Sequence, residues 1–278
     1  MQPCKDCSPV TAASAFSESS PAQLQFLARE KRHLLEIRFC QIFLFILLMA
    51  AWELSARLEL IDDFIFSSPS RMIRCLIRLS SDGSLFLHTG VTLAETLISF
   101  LLVTFFSITI ALLLWCSKRA AAILDPYLVI LNSLPKSAMA PILIVWLGNH
   151  MRTIIITSIS VAIFGAVLTL YTGFQSADPG KIKLISSLGG TRKDVLTKVL
   201  LPSSIPLFIS TMKVNIGLCL IGVIIGEFLA AKEGLGYLII YGSQVFELDL
   251  VIVSIFILCV ISAVFYKGIA VLEKRIGP

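Results

Sequence analysis

From residue 39 onward, long apolar runs alternate with short polar stretches. Six runs stand out, at 39–57, 89–115, 123–147, 153–173, 207–230 and 251–272. Each is near the roughly 20 residues that a helix needs to cross a bilayer. The run 123–147 carries Pro126, Pro135 and Pro141. Proline removes a backbone donor, and lipid tolerates the break only where protein or water re-satisfies the freed carbonyl. The spacing therefore predicts a broken span packed inside the bundle. Residues 58–87 read as an interfacial connection. Within it Pro69 is predicted to open a short helix whose Ile73, Leu76, Ile77 and Leu79 lie on the membrane surface.

The polar interruption at 178–206 has internal order. Asp178 followed by Pro179 is a helix-start signal. Gly189-Gly190 stops that helix where a left-handed residue costs little. Thr191 with Asp194 three residues on is close to a capping box. Val195, Leu196, Val199 and Leu200 then share one face, with Arg192, Lys193 and Lys198 polar. Pro202 and Pro206 bend the chain into the next apolar run. The pattern predicts a structured helix-turn-helix knob on one side of the membrane, of the kind that docks on another protein.

Composition agrees with this pattern. The chain of 278 residues is 56% hydrophobic and 15% charged, with a mean hydropathy of +0.90. A soluble domain carries roughly 25% charged residues, so the fold class expected is an all-α polytopic membrane protein. Its expected domains are a disordered cytoplasmic tail at 1–34 and a transmembrane domain at 35–278. The tail, rich in Ser, Ala and Pro, lacks the basic start and early apolar stretch of a signal peptide. Seven scattered cysteines show no disulfide framework; Cys4 and Cys7 read as reduced thiols, and no metal site is expected.

Charge sets the orientation. With both ends inside, the inner segments hold fifteen Lys and Arg and the outer segments six, while Lys136 and Lys213 fall within spans. Cytoplasmic loops are enriched in such residues, so both termini and the knob are expected in the cytoplasm.

Ionisable residues inside spans are candidates for a translocation pathway. Glu53, Glu95 and Glu227 read either as an acidic ring near the outer mouth or as separate carboxylates at the interface. Lys136 and Lys213 read either as substrate contacts or as partners of a carboxylate. Gly222 and Gly226 form a GxxxG that permits close helix packing. The chain carries no GxxxxGK[ST] loop and no catalytic set around His33, His88 or His150, so no enzyme activity is expected.

Taken together these residues resemble a known family. The 178–206 stretch resembles the cytoplasmic loop of permease subunits of binding-protein-dependent ABC importers. Thr92-Leu93, Leu134-Pro135, Ala138, Pro141, the LIVWLG of 143–148, Ser187-Leu188-Gly189, Leu200-Leu201-Pro202, Glu227 and the GLGY of 234–237 are similar to permeases for nitrate, sulfonate, taurine and related organic solutes. The resemblance implies six transmembrane helices in the type I importer fold. It implies that Lys183, Ser186, Ser187, Leu188, Gly189, Gly190, Thr191 and Pro202 contact a separate ATPase subunit, which uses the ATP; the chain itself would bind no cofactor. It also implies an extracytoplasmic solute-binding protein, a permease homodimer in the bacterial inner membrane, and no nucleic acid. The substrate would be a sulfonate, taurine, a nitrate-like ion or a heterocyclic precursor. The competing class is a secondary transporter or channel subunit, which would show inverted repeats; none is visible. Three positions depart from the family pattern. Lys183-Leu184-Ile185 stands where Glu-Ala-Ala is usual, Glu95 where a basic residue is usual, and Ser99 where Gly is usual.

Overall fold

The computed structural model describes residues 21–58 and 66–276. Cys4 and Cys7 lie outside these residues, as does the part of the expected tail before Pro21. Two compact units divide at residue 60. The first contributes one helix, α1 (Pro21–Arg57), so the chain is already helical over residues 21–34. Its membrane-length part is Leu35–Arg57, closed near its end by an Arg57 Nε to Glu53 Oε1 ion pair of 2.8 Å.

The second unit is all helix among the described residues. In chain order it runs α2 (Pro69–Ser81), α3 (Ser84–Cys116), α4 (Lys118–Ser133), α5 (Lys136–Leu147), α6 (Met151–Gln175), α7 (Pro179–Ser187) and α8 (Arg192–Val195). A π-helical turn (Leu196–Leu200) follows, then α9 (Leu201–Ser203), α10 (Ile205–Ala230), α11 (Leu235–Gln244) and α12 (Leu248–Ile276). Five helices of the described chain are long and apolar enough to cross a membrane, or six when the bent α4–α5 pair counts as one.

The centre of this unit is a three-helix packing of α3, α6 and α10. Small residues allow it. A Cβ on Gly222 would lie 2.6 Å from the Ser158 Cα, and one on Gly226 would lie 3.0 Å from the Ile154 Cα. The GxxxG of α10 is therefore the seam against α6, and the Ser158 hydroxyl donates across it to the Cys219 carbonyl at 2.9 Å.

The proline-rich span breaks at Leu134-Pro135 and turns by 96°. Pro126 and Pro141 sit inside α4 and α5 without ending them. The expected burial inside the bundle is corrected: only Ala121 and Ala140 of this pair are buried, while Tyr127, Val145 and Trp146 are 61%, 83% and 76% exposed. The bend directs the pair along the edge of the bundle. It touches α6 and α10 on a narrow seam and leaves its bulky face open within this one chain.

Candidate functional site

Each predicted local signal in the knob is matched by an interaction. The Asp178 side chain accepts from the Gly180 N–H at 2.8 Å and caps α7, with Pro179 at its first position. The helix ends in a Schellman motif. The Gly190 N–H donates to the Ile185 carbonyl at 2.9 Å, and the Gly189 N–H to the Ser186 carbonyl at 3.1 Å. The two glycines do different things. Gly189 has φ +79°, the left-handed region that favours glycine, and a Cβ there meets open space. At Gly190 a Cβ would lie 2.5 Å from Ile185 Cγ2 and 2.8 Å from the Ile185 carbonyl oxygen. Gly190 is thus required by its close approach to Ile185 in the last turn of α7.

Thr191 and Asp194 complete the predicted capping box. The Thr191 hydroxyl accepts from the Asp194 N–H, and the Asp194 carboxylate accepts from the Thr191 N–H at 2.9 Å. Lys198, one turn on, lies 2.9 Å from the same carboxylate. The hydrogen bond from Lys198, and then those from the Thr191 hydroxyl and N–H, hold Asp194 well below the usual carboxylate range.

The knob is anchored on one face and open on the other. Val195, Val199 and Leu200 are buried, and Leu200 packs with Ala111, Leu170 and Phe174 of the spans. The π turn lies just before Pro202, which has no N–H to give and would crowd the carbonyl four residues back. One wider turn, from the Leu201 N–H to the Leu196 carbonyl, accommodates it. Across α7, Leu184 and Leu188 are 60% and 76% exposed, with Lys181, Lys183, Ser186 and Ser187 exposed around them. One helical turn separates the two leucines, so they form a single apolar ridge on the open side.

At the far end of α10 is a second constellation. Glu227 lies 22 residues beyond Ile205, roughly 33 Å along a helix, which is comparable to the hydrocarbon thickness of a bilayer, about 30 Å. Knob and Glu227 therefore stand at opposite ends of the span. Glu227 is 0% exposed and Glu95 1%. The Glu227 carboxyl accepts from the Thr92 hydroxyl at 2.7 Å and the Gly236 N–H at 2.5 Å. Thr92 in turn accepts from the Leu235 N–H at 2.8 Å, and the His88 ring from the Gly234 N–H at 2.9 Å. A Cβ on Gly234 or Gly236 would lie 2.4 Å or 2.7 Å from the Glu227 carboxyl group. The GLGY turn is thus wrapped around one carboxyl group.

Glu95 hydrogen-bonds to the same group. Two carboxyl groups share a hydrogen bond only through a proton. Glu227 already accepts from Thr92 and Gly236, so Glu95 is the one that donates. The second Glu95 oxygen has no partner among the described residues. Neither carboxyl stands on an open face of the bundle.

The two lysines are placed differently. Lys213 lies 2.5 Å from Glu273 of α12 and 5.7 Å from the Tyr266 ring centre, so it is ion-paired across the bundle. Lys136 sits at the α4–α5 bend, its Nζ 3.4 Å from Asn132 Oδ1. Among the described residues it makes no ion pair. Sequence reasoning missed the Glu95–Glu227 contact; the Lys213–Glu273 pair is the carboxylate-partner reading of Lys213.

Comparison with known proteins supplies the family context. Residues 103–278 match the family model "Binding-protein-dependent transport system inner membrane component". A probable ABC transporter permease protein of Haemophilus influenzae is 32% identical over 82% of this chain and 92% of its own length. The formylaminopyrimidine transport permease protein ThiX of Halalkalibacterium halodurans is 29% identical over 84% of this chain and 93% of its own. The taurine transport system permease protein TauC of Escherichia coli is 25% identical over 83% and 86%. Among solved structures, an inward-facing form of the MetNI methionine ABC transporter aligns with a TM-score of 0.58 at 16% identity, covering 68% of this chain and 94% of that one. An amino acid ABC transporter crystallised with histidines aligns at 0.59 and 17% identity, covering 72% and 97%. At these identities the structural likeness shows the fold.

Proposed function

The chain belongs to the binding-protein-dependent transport system inner membrane components, and we propose that it acts as half of a homodimeric permease that an ATPase drives through the 178–206 knob. It is a multi-pass permease subunit of an ABC importer, a class that works with an ATPase and a solute-binding protein. The observation that carries the proposal is the knob itself. Capped at three points and anchored by Leu200, it presents the Leu184–Leu188 ridge outward. A surface that must transmit movement has to be stiff, and an exposed apolar ridge ringed by lysines fits an apolar cleft with an acidic rim. Lys183, Ser186, Ser187, Leu188, Gly189 and Gly190 form or shape that ridge, while Thr191 and Pro202 fix its angle.

In this reading both termini and the knob are cytoplasmic, ATP is bound and hydrolysed on the partner subunit, and this chain performs no chemistry of its own. Closure of the ATPases draws two knobs together and tilts the bundles from inward-open to outward-open. The solute is a small organic molecule of the kind named for the relatives, a heterocyclic precursor or a sulfonate such as taurine. Of the four candidate pathway residues, Lys136 is retained as a solute contact because no carboxylate neutralises it among the described residues. Glu95, Glu227 and Lys213 are read as structural.

The test is copurification and uptake. The tagged chain should bring down an ATPase subunit. Leu188→Asp should abolish both that association and solute uptake while the chain accumulates normally in the membrane. An uptake rate unchanged by Leu188→Asp and by deletion of 183–198, with no ATPase recovered, would remove the basis for the reading.

A further inference from the structure

Helix α2 shows three faces, and only one is used inside the protein. Met72, Cys75, Leu76 and Leu79 pack against α11, α12 and the start of α3. On a second face Ile73 and Ile77 are 59% and 62% exposed. The third face carries Arg71, Arg74 and Arg78, one every turn. Two of these guanidinium groups are held by acids on the α11–α12 side. Arg71 Nε lies 3.0 Å from Asp249 Oδ2, and Arg78 lies 2.5 Å from Glu247 Oε1. Asp249 is itself held by the Ser67 hydroxyl at 2.6 Å. Arg74 differs: it is exposed, its Nε reaches only the Ser70 carbonyl at 3.4 Å, and it has no acid partner among the described residues. Arg71, Arg74, Cys75, Arg78 and Asp249 line an open cavity of about 450 Å³.

We infer that this cavity binds the phosphate-bearing headgroup of an anionic membrane phospholipid, whose acyl chains run along Ile73 and Ile77. The helical positions carry the inference. At 100° per residue Arg74 falls between Ile77 and the paired Arg78 and Arg71. A ligand with an anionic head and an apolar body therefore meets a cation and two isoleucines on adjoining faces. Helix α2 joins the span α3 through only Asp82 and Gly83, which holds it near the membrane surface, where basic amphipathic helices meet lipid headgroups. Phospholipid phosphates lie at both surfaces, so the site does not depend on which side α2 occupies. Among the described residues, three arginines against Asp249 and Glu247 give this face an excess of positive charge. An acidic protein partner would satisfy Arg74 equally well, but it would leave the two isoleucines facing water or an unneeded apolar contact.

The experiment uses the full transporter reconstituted in phosphatidylcholine nanodiscs with a minor fraction of photoactivatable phosphatidylglycerol. Labelling is mapped by peptide mass. The 69–81 peptide should be labelled. Arg74→Gln breaks no ion pair and should lower that labelling about fivefold, the worth of one basic side chain at an anionic surface. Arg74→Lys should keep most of it. Labelling equal in Arg74→Gln and wild type would overturn the inference. So would an Arg74→Gln chain that keeps its lipid label and instead binds its solute-binding protein more weakly, since that outcome makes the face a protein contact.

Discussion

At Glu227 and Glu95 one residue type performs two tasks. The Glu227 carboxyl group accepts from Thr92 and Gly236, whereas Glu95 gives its proton and leaves one oxygen without a partner among the described residues. This asymmetry predicts different responses to amide substitution. Glu95→Gln replaces an O–H donor by an N–H donor and should shift stability by less than about 1 kcal/mol. Glu227→Gln aims an amide donor at the Thr92 hydroxyl and the Gly236 N–H. Each orphaned buried N–H or O–H costs about 1–3 kcal/mol, so Glu227→Gln should be the clearly less stable of the two. Thermal unfolding of the purified variants in one detergent provides the comparison; equal losses would contradict the assignment of donor and acceptor. Neither partner was legible from the sequence beyond its presence in a span, because Thr92 and Glu227 are 135 residues apart and only the packing of α3 on α10 brings them together.

The knob is the element most completely written in local sequence. Asp178-Pro179, Gly189-Gly190 and Thr191 with Asp194 each act within a few residues, so caps and stop could be placed without knowing the fold. The π turn before Pro202 and the open Leu184–Leu188 ridge could not, since both follow from how Val195, Val199 and Leu200 seat against the spans. The capping box gives the element a pH dependence of known sign. Asp194 is depressed when folded, first by its hydrogen bond with Lys198. Its contribution is therefore complete above the ordinary Asp range near about 3.9 and is lost as pH falls through the folded value. Hydrogen-exchange protection of 191–198, corrected for intrinsic rates, should fall in acid for wild type. In Asp194→Asn it should be lower at neutral pH and flat. A wild-type profile as flat as that of the variant would deny Asp194 this role.

For the whole molecule, the pattern of runs predicted the spans and the break in the third, but not where that broken span lies. Proline spacing says that a helix is interrupted; it does not say which side faces lipid, protein or a second copy. The proposed homodimer would cover the open face of α4 and α5, where Val145 and Trp146 are 83% and 76% exposed. Native mass spectrometry of the assembled complex should therefore find this chain twice, whereas a complex holding it once beside a different permease chain would exclude the homodimer. The Lys213–Glu273 pair has a further consequence for biosynthesis. When α10 leaves the ribosome and enters the bilayer, Thr92 and Glu95 are already there for Glu227, and Gly236 follows nine residues later. Lys213 must wait for a partner 60 residues downstream, and a lysine in an inserting helix carries a cost that reaches about 2.5–3.5 kcal/mol at the helix centre. Until α12 is made, α10 enters the membrane on the strength of its other side chains, and a helix synthesised later is the one that neutralises it.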